Sequence, residues 1–291
     1  MMLPRFMVTC VVMLLALTTG CGAPEGDPIV NVGNDMGGSR TGGNPPLDGG
    51  TIPNEGTPPN EGTAPNPGTP TDGGVTYFST LPPGSTLPSA TECAGRVRRS
   101  SWEPRPKNTV ANQTVGVSGA RIDGASSAYN TRMAPRIDGN FKGTTDEIIQ
   151  WGACKWGFDE DIVRAVTVME TWWRQDTVGD DGVSFGLTQV RSTVHVGTFP
   201  YSRDSTAYAV DYALAWRRAC YEGEFTWLND PSRPGGYVKG DEWGCVGTWF
   251  SGGWYDGDEN VPYSGAKAYI KGVKAHLAQR TWTTPTFING E

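Results

Sequence analysis

The chain has 291 residues, with 40 Gly, 22 Pro and a formal net charge of −7. An acidic balance excludes a nucleic-acid partner, because nucleic acids select basic surfaces. It also disfavours electrostatic adhesion to an anionic wall or membrane.

The N-terminus reads as a targeting segment. Arg5 supplies a positive flank and Phe6 to Leu17 is a nearly continuous apolar run, too short to span a bilayer as a mature helix. The run ends in Leu17-Thr-Thr-Gly-Cys21, which resembles a bacterial lipobox with the leucine four residues before the cysteine instead of three. The expectation is a signal peptide over residues 1–20, a lipidated Cys21, and an exported protein held at the membrane of the bacterial cell envelope by that lipid. An ordinary secretory signal with an incidental cysteine is the alternative.

From Gly22 to about Gly74 the chain is rich in Gly, Pro, Asn and Thr and poor in apolar residues. Such a segment buries too little surface to offset its ordering entropy. It carries a hexapeptide repeat: Asn54-Glu-Gly-Thr-Pro-Pro, Asn60-Glu-Gly-Thr-Ala-Pro, Asn66-Pro-Gly-Thr-Pro-Thr. Units this small favour a low-complexity tether over residues 21–76, whose role is reach. Residues 77–136 are turn-rich, of short-strand or irregular character, and are expected to pack on, or be stapled to, the domain C-terminal to them. All 11 Trp lie beyond residue 100, so the packed domain is C-terminal, and it is expected over residues 137–291.

That domain is expected to be mainly α. Thr144 and Glu147 form a capping box ahead of Ile148, Ile149, Trp151 and Cys154, and Gly157 breaks the helix. Asp159, Glu160 and Asp161 suit the N-terminal end of a second helix, where Ile162, Ala165, Val166, Met169 and Trp173 share one face. Glu170 borders that face. A third helix is expected from the N-cap Ser205 to before Gly223, and a last one from about Ser264 to Arg280. Residues 223–262 read as Gly- and aromatic-rich loops.

Of 6 cysteines, Cys10 leaves with the signal and Cys21 would carry lipid. The remaining four suggest two disulfides in an exported chain, with three connectivities open. The pairing expected is Cys220–Cys245 with Cys93–Cys154. No Cys-x-x-Cys pair occurs and the only histidines are His195 and His276, so no metal site is implied. Nor is a cofactor: no phosphate loop, nucleotide fingerprint or Ser-His-Asp order is present.

The chemistry concentrates in Glu170 and in Ser184-Phe-Gly-Leu-Thr-Gln189. A carboxyl among apolar neighbours such as Met169, Trp172 and Trp173 disfavours its charged form and can act as a proton donor near neutral pH. A lone helical Glu is more often a solvated rim residue, so the position counts only with its context. That context resembles lysozyme-like lytic transglycosylases of the soluble type over about 150 residues, in three blocks. Met169-Glu170-Thr171 stands where the family has Glu-Ser, and Ser184-Phe-Gly-Leu-Thr-Gln189 where many members read Ser-Tyr-Gly-Leu-Met-Gln. The third block is C-terminal: Trp249-Phe-Ser-Gly-Gly253 stands where relatives have Ala-Tyr-Asn-Ala-Gly, and Ala268-Tyr-Ile-Lys-Gly-Val273 is similar to the family's final helix. Ser251 thus replaces an asparagine and Thr188 a methionine, and the connection from Glu170 to Gln189 is one residue longer.

The resemblance implies a lysozyme-like fold and cleavage of the β-1,4 bond between N-acetylmuramic acid and N-acetylglucosamine in peptidoglycan glycan strands, by a monomer. Glu170 would act first as acid and then as base, Gln189 would contact the substrate's N-acetyl group, and Tyr269 would hydrogen-bond the acid. Ser184, Trp249, Phe250, Ser251 and Tyr269 are the further substrate-side candidates, and Trp254 and Tyr255 offer flat faces for pyranose rings. Hydrolysis would instead need a second carboxylate to activate water. Asp180 and Asp181 are the candidates, against the plainer reading of a polar turn. His195 could line the cleft or simply pack. A non-catalytic glycan-binding or structural protein of the cell envelope, and an enzyme of chitin-like polymers, are the alternatives.

Overall fold

The computed structural model describes residues 77–290. The expected signal peptide, Cys21, the hexapeptide repeat and the tether lie outside the described residues. The described chain is mainly α. Its principal helices are α4 (Thr145–Trp156), α5 (Glu160–Thr171), α7 (Thr206–Glu222), α8 (Glu242–Ser251) and α9 (Ala266–Gln279).

Helix ends follow their local chemistry. The Thr144 hydroxyl accepts from the backbone N–H of Glu147, whose carboxylate accepts in return from the N–H of Thr144, and α4 stops at Gly157 in the left-handed region (φ 64). Asp159 caps α5 by accepting from the N–H groups of Asp161 and Ile162. Ser205 caps α7, which ends at Gly223 (φ 97). Each such cap is worth about 1 kcal/mol because it satisfies backbone donors that no carbonyl reaches. The last long helix is shorter than the sequence pattern suggests, running over Ala266–Gln279. It is followed by the short α10 (Pro285–Asn289).

Two regions differ from the sequence expectation. Residues 77–136 contain no strand among the described residues but three short helices, α1 (Ala90–Arg96), α2 (Thr109–Asn112) and α3 (Ser127–Met133). This arm is stapled to α4 by Cys93–Cys154. It also shares the hydrophobic core, since Phe78, Cys93, Ile122 and Tyr129 are buried together with Ile149, Trp151, Val168 and Trp216. Residues 223–262, expected as loops, contain α8, which Cys220–Cys245 joins to α7. Both disulfides are therefore the expected pairs.

Between α5 and the short α6 (Tyr201–Asp204) lies a small antiparallel sheet of β1 (Val178–Gly179), β2 (Ser184–Phe185) and β3 (Val190–Arg191). Phe185 pairs with Val178 on one side and Val190 on the other. No described helix is long and apolar enough to cross a membrane.

Candidate active site

α5 and α9 pack side by side and bring their functional groups together. Val163, Ala165 and Val168 of α5 and Ile270 and Val273 of α9 are buried, as apolar faces of amphipathic helices must be. Across this contact the Tyr269 hydroxyl donates to Oε1 of Glu170. Phe250 of α8 stacks on the Tyr269 ring, with centroids 4.8 Å apart and planes 8° from parallel. Glu170 is half-buried. A carboxylate, a phenol and an aromatic face thus converge from three helices.

Helix α5 ends one residue beyond Glu170, at Thr171. Trp172 (φ 55) and Trp173 (φ 64) both take the left-handed conformation. For bulky residues this costs of order 1–3 kcal/mol each and persists only when the surroundings over-determine it. Here they do. Trp173 is fully buried, edge-on to Phe287 at 5.2 Å and to Trp102 at 5.9 Å. Trp172 stacks on Phe287 at 5.7 Å. Trp173 therefore leaves the helical face on which the sequence pattern puts it, because the turn redirects its ring into the core.

The bend at Gly186–Gln189 is held against this turn. The Thr171 hydroxyl donates to the Leu187 carbonyl at 3.1 Å, and the Leu187 N–H donates to Oε1 of Gln175 at 2.8 Å. Gly186 (φ 77) must be glycine, since a Cβ there would stand 2.1 Å from the Ser202 carbonyl oxygen. The Thr188 hydroxyl donates to the Ala209 carbonyl at 3.0 Å, and Nε1 of Trp249 donates to the Thr188 carbonyl at 3.0 Å. The Thr188 hydroxyl thus anchors the bend to α7.

Gln189 (φ 51) folds its side chain back on the bend. Its Nε2 donates to the carbonyls of Gly186 at 2.9 Å and Thr177 at 3.2 Å. Ser184 is buried and donates to Oδ2 of Asp180 at 2.6 Å. Asp180 (φ 50) and the exposed Asp181 (φ 55) both lie in the left-handed region, so the loop before β2 is a constrained turn. Ser251 accepts from the Gly253 N–H at 3.0 Å and finishes α8.

The aromatic residues divide into packing and lining. Trp254 is buried, edge-on to Tyr237 at 4.9 Å, so its faces are occupied within the fold and it does not serve as an open platform. The Tyr255 hydroxyl donates to both oxygens of Asp241, and burial, with that carboxylate second, pushes it up to about 12. Trp249 is half-buried and stacks on His195, with centroids 5.1 Å apart. His195 is buried and its Nδ1 lies 3.1 Å from the Tyr212 hydroxyl. Burial lowers its pKa to about 4, so the ring is neutral at physiological pH and acts as packing beneath the bend.

Three residues that organise the site escape sequence reading: Arg105, Asn108 and Gln175. All are buried polar side chains whose bonds join segments far apart in the chain, and no spacing rule marks them. No group of His, Cys, Asp and Glu among the described residues is placed to hold a metal ion. No family model, no curated protein and no solved structure matches the chain.

Proposed function

We propose that this chain is a lysozyme-like lytic transglycosylase that cleaves the β-1,4 bond of peptidoglycan glycan strands. The observation that carries the reading is the Tyr269–Glu170 hydrogen bond, formed one residue from the point where Thr171 grips the Gly186–Gln189 bend. A proton donor needs a fixed direction, and the phenol supplies it. Half-burial leaves the carboxyl accessible, and the half-buried Phe250, stacked on the buried Tyr269, supplies a ring that suits a sugar face.

In the reaction, the Glu170 carboxyl gives its proton to the glycosidic oxygen as the bond from that oxygen to C1 of N-acetylmuramic acid breaks. The substrate's own acetamido group supports the electron-poor carbon. The Glu170 carboxylate then takes the proton of the C6 hydroxyl as that oxygen bonds to C1. The product is a 1,6-anhydro end, no water is consumed, and Glu170 returns to its starting state. A lipid on Cys21 would hold the enzyme at the envelope, and the tether would set its reach along the strands.

Incubating the protein with purified sacculi and weighing the released fragments tests this reading. Anhydro-ended muropeptides are expected. Fragments heavier by one water would replace it with hydrolysis, in which Asp180 or Asp181 activates the water. No release, with the protein sedimenting on sacculi, would replace it with a glycan-binding module.

A further inference from the structure

The turn after Glu170 is held by groups from the N-terminal arm. Arg105 is 5% exposed, and its Nε donates to the Trp172 carbonyl at 2.7 Å while Nη2 donates to the Phe287 carbonyl at 2.8 Å. Asn108 is 1% exposed, and its Nδ2 donates to the Trp173 carbonyl at 2.7 Å. Both strained residues of the turn therefore have their carbonyls fixed by arm side chains.

The same bonds continue to the bend. Oδ1 of Asn108 accepts from the Gln175 N–H at 2.9 Å. Gln175 in turn accepts from the Leu187 N–H at 2.8 Å and donates to the Ser202 carbonyl at 2.9 Å. An unbroken path of buried hydrogen bonds runs from the arm, through the turn that ends α5, to the backbone of the bend. Every step uses a side chain with little freedom to move, because a buried polar group that loses its partner has no water to turn to.

We propose that Arg105, Asn108 and Gln175 form a positioning relay that sets the direction of Glu170 and the placement of the Gly186–Gln189 bend together. The arm is then part of the working site, and residues 137–291 alone do not make a complete one. The proposal rests on Glu170 being the proton donor. Left-handed Trp172 and Trp173 relax once their carbonyls are released, and relaxation there shifts the last turn of α5 and Gln175 at once. Errors of this kind reduce the rate of the chemical step more than they reduce binding.

The test uses Arg105→Lys and Asn108→Ala in the full chain. The readouts are kcat and KM on isolated glycan strands and amide hydrogen exchange at Leu187 compared with amides in the middle of α7, with melting temperature establishing that each variant is folded. The relay predicts that kcat falls roughly tenfold or more while KM moves by less than about threefold. It also predicts faster exchange at Leu187 with α7 unchanged. Unchanged kcat in the folded variants overturns it, as does a rise in KM at constant kcat. Equal loss of protection in α7 and at Leu187 overturns it too, because that marks a purely structural role. Should Asn108→Ala fail to fold, Arg105→Lys, which keeps charge and most of its reach, decides alone. If neither variant folds, the residues serve stability and the relay is overturned. If the unaltered chain cleaves nothing, the acid reading has failed by itself, and the exchange at Leu187 still decides whether the arm governs the bend.

Discussion

The two halves of the candidate site are built by different forces. The acid half rests on helix packing: α5 lies against α9 through buried Val163, Val168, Ile270 and Val273, and Glu170 meets Tyr269 across that contact. The bend half is held by polar bonds. Gln175, Thr171, Trp249 and the Thr188 hydroxyl each fix one backbone or side-chain group of Gly186–Gln189. Apolar packing tolerates swaps that conserve volume, whereas a buried hydrogen bond fails as soon as one partner is lost. The acid half should therefore withstand conservative change, and the bend half should be sensitive to the loss of single atoms.

Removing bulk from the acid half should give the largest effect on stability. Trp173→Ala empties a fully buried site between Phe287 and Trp102, and a cost of about 3–5 kcal/mol is expected from denaturant unfolding. A loss below about 1 kcal/mol would mean that the turn collapses into the space and that packing is not what holds this half.

Beneath the bend, pH provides a smaller lever. Folded His195 has its pKa lowered by burial to about 4, against the ordinary histidine value of 6.5. Between those values the unfolded chain binds a proton that the folded chain refuses, so stability falls as pH drops from 6.5 and levels off near 4. The full loss is about 3 kcal/mol. His195→Phe should remove that part of the acid-side slope in pH-dependent unfolding. An unchanged slope would mean that His195 is protonated in the fold and that Trp249 stacks on a cation.

The same division explains how much was legible in the sequence. Signals confined to one helix end are readable, as Thr144 with Glu147, Asp159, Ser205 and Gly223 illustrate. A comparable signal sits in the arm, where Ser89 and Glu92 form a capping box that heads α1, a helix too short to leave a periodic pattern. Helix α8 is hidden for another reason. Gly244, Gly247, Val246 and three aromatics give it poor intrinsic propensity, and tertiary structure supplies what the sequence lacks. Asp241 caps it, Cys245 ties it to α7, and Gly244 lets Trp254 pack where a Cβ would lie 2.1 Å from the ring. Glu170, Gln189 and Tyr269 stand out through their motif context. Arg105, Asn108 and Gln175 do not, because each acts through bonds to backbone groups 12 to 182 residues away.

The whole mechanism depends on Glu170 giving up a proton, and Glu170→Gln removes that proton with the least disturbance. The amide keeps the size of the carboxyl and can still accept from Tyr269, but it has no acidic proton to give. With Glu170 as the donor, cleavage of sacculi by this variant falls by roughly a hundredfold or more while sedimentation on sacculi is unchanged. A variant that lyses sacculi at the rate of the unaltered protein would contradict that role.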